Sequence, residues 1–113
     1  MRDLIFMGDS REVLSGFPDE VKREMGYALW FAQDGKAHEK AKPFLGYSGV
    51  MEIAIAFRKG AYRAVYALKI GSCIYVLHAF QKKSKHGIET PRPDLDLIDM
   101  RYKAAKRAEE FNV

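Results

Sequence analysis

Three strand-length segments crowd into residues 50–82, and the gaps between them leave room only for tight turns. Val50–Phe57 runs into Arg58-Lys59-Gly60, residues 61–70 run into Gly71-Ser72, and residues 73–80 run into Gln81-Lys82-Lys83-Ser84-Lys85. Strands joined this closely pair antiparallel, because a parallel partner needs a crossover of about a dozen residues or more. The chain is therefore committed to a small meander, and the rest of it has to cover at least one face.

Turn chemistry gives the expected register. A two-residue turn at Lys59-Gly60 sets Arg58 opposite Ala61 and pairs Phe57 with Tyr62, Ile55 with Ala64, Ile53 with Tyr66 and Met51 with Leu68. A turn at Gly71-Ser72 sets Leu68 opposite Tyr75 and Tyr66 opposite Leu77. Both turns agree on one apolar face, which should pack against the helices, with Tyr62, Tyr66 and Tyr75 as core residues. The other face then holds Glu52, Ala54, Ala56, Arg63, Val65, His78, Phe80 and Lys82, directed away from the helices. Arg63 lies opposite Phe80 and diagonal to His78 and Lys82, within reach of long side chains. An arginine, a histidine and a lysine above a floor of Ala54 and Ala56 make a candidate anion site. Each residue also has a purely structural reading: Arg63 as an exposed strand residue, Lys82, Lys83 and Lys85 as charges guarding a sheet edge, His78 as a hydrogen-bonded core histidine, and Glu52 as the counter-charge of Lys69.

The flanks carry helix and turn signals. Residues 2–7 suit a short strand ended by Gly8-Asp9, and Asp9 or Ser10 suits the cap of a short helix over 11–16. Pro18 suits the first turn of a longer helix, with Asp19 and Glu20 near its positive end. Val21, Met25, Ala28, Leu29 and Ala32 recur on one side of it, Trp30 and Phe31 read as core, and Gly35 is placed to stop it. Residues 35–49 read as a loop punctuated by Gly35, Pro43, Gly46 and Gly49. After Pro91 and Pro93, Asp94 is expected to cap a last helix with a stripe of Leu95, Ile98, Tyr102 and Ala105.

At 113 residues the chain is expected to be one domain spanning 1–113, and 48% hydrophobic with 30% charged residues suits a globular protein. The longest apolar runs, such as Tyr27–Ala32, fall far short of the roughly 20 residues of a membrane span, so no membrane partner is expected. No basic-then-apolar leader precedes Asp3, and a lone Cys73 forms no internal disulfide; both fit a reducing, cytoplasmic location. Cys73 reads as a small core residue rather than a nucleophile. His38, His78 and His86 lack ligand spacing, so neither a metal nor another cofactor is expected. The net charge of +4 is unevenly spread: residues 1–57 carry 7 Lys/Arg against 9 Asp/Glu, while residues 58–113 carry 12 against 6. Concentrated positive charge suits phosphates, and nucleic acid is their usual source.

The string Ala61-Tyr62-Arg63-Ala64-Val65-Tyr66, followed by Tyr75-Val76-Leu77-His78-Ala79-Phe80-Gln81-Lys82-Lys83-Ser84, resembles the HigB branch of the RelE/ParE toxin superfamily, and within it the phage-derived toxins. Phe17-Pro18-Asp19-Glu20-Val21, Lys42-Pro43, Met51-Glu52-Ile53, the late prolines and the final helix fall in matching order, so the resemblance spans nearly the whole chain. It implies a RelE/ParE-like α+β fold, with N-terminal helices packed on a small antiparallel-rich sheet and a C-terminal helix. It also implies the toxin of a type II toxin-antitoxin system: a metal-independent endoribonuclease that cuts messenger RNA in the ribosomal A site with the RNA 2′-hydroxyl as nucleophile. The partner it implies is a cognate helix-turn-helix antitoxin. By the same resemblance Arg63 matches the arginine assigned to the scissile phosphate, Lys82 and Lys83 the basic pair after the last strand, and His78 a histidine suited to proton transfer. Arg58, Lys59 and Lys85 complete the candidate RNA-binding set. The RelE branch carries lysines where this chain has Glu52 and Ala54, and its C-terminal tyrosine has no assured counterpart. The general base therefore stays open among Glu52, His78 and Lys82. Two alternatives stay open with it: a binding module that docks on RNA or protein without cutting, and a gyrase-directed toxin of the ParE type.

Overall fold

Leu4–Phe6 (β1), Ser10–Ser15 (α1), Asp19–Gln33 (α2), Ala41–Pro43 (β2), Val50–Phe57 (β3), Gly60–Ala67 (β4), Ile74–Lys82 (β5) and Arg92–Phe111 (α3) follow one another in a computed structural model that describes residues 1–82 and 90–111. The strands form one sheet in the order β1-β5-β4-β3-β2. β1 runs parallel to β5, and the other three pairs are antiparallel, giving an α+β fold with a C-terminal helix. No helix among the described residues is long and apolar enough to cross a membrane.

α2 forms where the apolar spacing places it. Val21, Met25, Ala28, Leu29 and Ala32 are all buried, Pro18 sits at the N-cap, and Asp19 and Glu20 complement the positive helix end. Past its end Gly35 adopts a left-handed φ of 78°, which a side chain would resist. Trp30 departs from expectation: it lies off the buried stripe and is 47% exposed. Asp9 stands at the start of α1 without a side-chain cap, while Ser10 is buried and its hydroxyl donates to the Val76 carbonyl at 3.2 Å, pinning α1 to β5.

The meander is as expected, with its first turn displaced. Arg58 and Lys59 form the tip, so Phe57 pairs with Gly60, Ile55 with Tyr62, Ile53 with Ala64 and Met51 with Tyr66. The turn moves by one residue and each cross-strand partner by two, so every side chain keeps its expected face. Between β4 and β5 the pairs Arg63–Phe80 and Val65–His78 hold, then the register slips at Val65/Tyr66 and Tyr66 meets Val76 instead of Leu77. A bulge of this kind reverses facing beyond it, so Tyr75 and Leu77 leave the expected core face for the other one. The expected turn at Gly71-Ser72 is a longer loop, Leu68–Cys73, tied down by the Arg2 guanidinium, which donates to the carbonyls of Leu68, Ser72 and Cys73. Within the expected loop 35–49, Ala41–Pro43 adds an edge strand on β3, a position where proline is tolerated.

Both faces of the sheet are covered. α1 and α2 bury Leu14, Phe17, Met25 and Leu29 against Ile53, Ile55, Ala64, Tyr66 and Val76. α3 buries Ile98 and Ala105 against Val65, Ala67, Tyr75, Leu77 and Phe80. The face that carries Arg63, His78 and Lys82 is thus not directed away from all helices. Its apolar half requires a cover, and the C-terminal helix supplies it.

Candidate functional site

Arg63 sits mid-strand in β4, between Ala54 of β3 and Phe80 of β5, and Lys82 ends β5 opposite Ala61. Strand alternation puts both on the α3 side of the sheet with Glu52 of β3. Arg63 is 8% exposed and Lys82 7%, the burial of core residues rather than of surface charges. The Arg63 Nη1 donates to both Glu52 carboxylate oxygens at 3.4 Å. Charge-assisted pairs close to about 2.7–2.9 Å when they are tight, so this one is loose. Burial pushes the Glu52 carboxyl above the ordinary carboxylate value of 4.5, opposed by the charges of Arg63 and Lys82. Glu52 therefore binds its proton more firmly than an exposed glutamate does.

Arg63 and Glu52 floor a cleft of about 590 Å³, which Lys82 does not line. Exposed Ala54 leaves its base open, the segment Lys42–Leu45 forms one wall, and Thr90 with Leu95 forms another. Aromatic contacts hold the first wall against α3: the Tyr47 hydroxyl donates to Asp99 at 2.8 Å, and the Tyr47 ring meets Tyr102 edge-on at 5.2 Å.

His78 shares this face but lies under α3 and does not line the cleft. Its Nδ1 accepts from the Arg101 guanidinium at 3.0 Å, and its Nε2 lies 2.7 Å from an Asp94 carboxylate oxygen. Arginine can only donate, so the ring proton resides on Nε2 and is given to Asp94. Arg101 also donates to the Leu77 carbonyl and to Asp9, each at 3.0 Å. Gly8 makes room for this guanidinium, since a Cβ there would lie against it. Asp94, expected as a helix cap, stands instead inside the first turn of α3 with its carboxylate turned to the histidine.

The expected site residues therefore separate. Arg63 and Glu52 meet at the cleft, Lys82 is buried on the same side of the sheet without lining it, and the expected Glu52–Lys69 balance gives way to a Glu52–Arg63 pair. His78 is engaged with the C-terminal helix. Arg58 and Lys59 stand exposed at the β3–β4 turn, and Lys83 and Lys85 lie outside the described residues. The sequence assigns no role to Arg101 and only a capping role to Asp94. Seven residues apart, they fall on one side of a helix beside the stripe of Ile98 and Ala105, and charges on such a stripe signal buried partners.

A mixed five-stranded sheet flanked by helices, with a C-terminal helix, is a RelE-like α+β arrangement. The family model described as Phage derived protein Gp49-like (DUF891) matches residues 12–103, and the chain belongs to that family, which is RelE/HigB-like in general. No curated protein sequence matches the chain.

Proposed function

We propose that this protein is the toxin of a type II toxin-antitoxin system and that it cleaves messenger RNA in the ribosomal A site. The observation that supports it most is the buried Arg63 guanidinium on the floor of an open cleft beside Glu52, with Lys82 buried on the same side of the sheet. Burying two cations is costly and contributes little that apolar residues would not. A phosphate entering the cleft meets the Arg63 guanidinium beside the Glu52 carboxylate, 3.4 Å away. Glu52 then takes the proton of the RNA 2′-hydroxyl. The 2′-oxygen attacks the adjacent phosphorus, and Arg63 and Lys82 stabilise the charge on the pentacovalent phosphorane. The bond from phosphorus to the 5′-oxygen breaks and that oxygen takes a proton from water, so the products are a 2′,3′-cyclic phosphate and a 5′-hydroxyl. A carboxyl whose proton affinity is raised by burial is a stronger base for the first transfer than an exposed glutamate. His78 acts in this reading by positioning β5 and α3. A helix-turn-helix antitoxin restrains the toxin in the cytoplasm.

Primer extension on message from induced cells tests the assignment. Codon-linked ends should appear with the native chain, and Arg63→Ala should lower cleavage by about 10²–10³, the usual effect of removing one oriented donor. Growth arrest without cleavage ends would leave the binding-module reading, and DNA damage signalling without message cleavage would favour the gyrase-directed one.

A further inference from the structure

Behind the sheet from Arg63 and Lys82, the β3–β4 turn and the start of α2 enclose a second cleft of about 740 Å³. Phe57 and Tyr62 line it, their rings edge-on with centroids 6.5 Å apart. Arg58 and Lys59 stand at its mouth, Gln81 beside them and Glu20 across. Arg58 is the one non-glycine residue with a left-handed φ, 57°, among the described residues. It occupies the first position of a two-residue turn, where glycine would avoid the steric cost. The chain keeps an arginine there and lays its guanidinium over the Phe57 ring, 5.3 Å from the centroid. A strained backbone that aims a cation across an aromatic wall points to a ligand with a π-face and a negative charge.

We propose that this cleft is a nucleobase subsite, taking an unpaired base farther along the RNA strand whose phosphate Arg63 holds. The inference rests on the RNA reading above and extends it to a second face. Tyr62 and Arg63 are consecutive in β4, and Gln81 and Lys82 are consecutive in β5, so the two clefts lie back to back through one thickness of sheet. Single-stranded RNA passing over the β3–β4 turn reaches both. Stacking on Phe57 and Tyr62 tolerates any base, while Glu20 accepts from an exocyclic amino group and disfavours uracil.

The test is titration of isotope-labelled protein with a short single-stranded RNA and with the same RNA made abasic, followed by amide shifts. The intact RNA should move Phe57, Arg58, Gly60 and Gln81, and the abasic one should bind roughly 5- to 100-fold more weakly, as loss of base stacking dictates. Arg58→Gly, which relieves the turn and so keeps the fold, should weaken the intact RNA about tenfold, the effect of one lost cation contact desolvated against an aromatic ring. Equal binding of both RNAs, shifts confined to the Arg63 cleft, or no RNA binding at all would overturn the subsite. So would shifts at Phe57–Gly60 produced by the antitoxin alone, which would make the cleft a protein-docking surface. Message cleavage is read separately. Base-dependent shifts without cleavage would retain the subsite and remove the nuclease reading, and cleavage without such shifts would do the reverse.

Discussion

The two faces of the sheet are built on different principles. Against α1 and α2 the interior is almost wholly apolar: Val21, Met25, Ala28, Ile53 and Ala64 are fully buried, and the Ser10 and Tyr66 hydroxyls are polar exceptions among the described residues. Against α3 the interior mixes Val65, Leu77 and Ile98 with Arg63, His78 and Lys82, all under one-tenth exposed. Apolar contact tolerates small shifts, whereas a buried charge requires a partner at a set place. The first face supplies stability, and the second holds charged groups in position at some cost to it.

Substitutions on each face should separate the two roles. The largest loss is expected from Ile53→Ala on the apolar face, about 2–5 kcal/mol, read from the denaturant midpoint. A loss under about 1 kcal/mol would mean the stability lies elsewhere. Arg63→Ala should show the opposite profile, with cleavage lost and the midpoint lowered less than by Ile53→Ala. His78→Ala leaves Arg101 and Asp94 each short of a partner, for about 1–3 kcal/mol. Hydrogen exchange should then quicken in α3 and stay unchanged in α2; equal quickening in both would show that the network does not hold α3 specifically.

Glu52 should give the smallest effect, and one with a defined sign. Its folded-state carboxyl titrates above the ordinary 4.5, so the stability it adds is full below that value and is lost as pH rises through the raised one. Glu52→Gln stays neutral throughout, so its thermal midpoint should gain on the native chain from pH 4.5 upward. A gain on lowering the pH would reverse the assignment. In cleavage, the acid limb of the pH profile should vanish with the same variant.

How far these features could be read from residues alone varied with their origin. Strand identities, α2 and the shared face of Arg63 and Lys82 follow from local periodicity, and a two-residue shift of partners between β3 and β4 left facing intact. The bulge could not be read, because it depends on how β4 and β5 settle between two cores rather than on either strand. The second layer was hidden for a related reason. The helical stripe of α3 was legible, but which surface it would cover was not. Pro43 obscured β2, since its turn signal conceals a tolerated edge position.

The slip in β5 has one further effect. Leu77 and His78 are neighbours in the chain, yet both look toward α3, and one Arg101 nitrogen reaches the carbonyl of the first and the imidazole of the second. A single unmatched residue thus acts as a frameshift in side-chain facing. Deleting it would turn either Tyr75, or His78, Phe80 and Lys82, through the sheet to the wrong layer. A one-residue length change in β5 should therefore be far less tolerated than a substitution at any position along it.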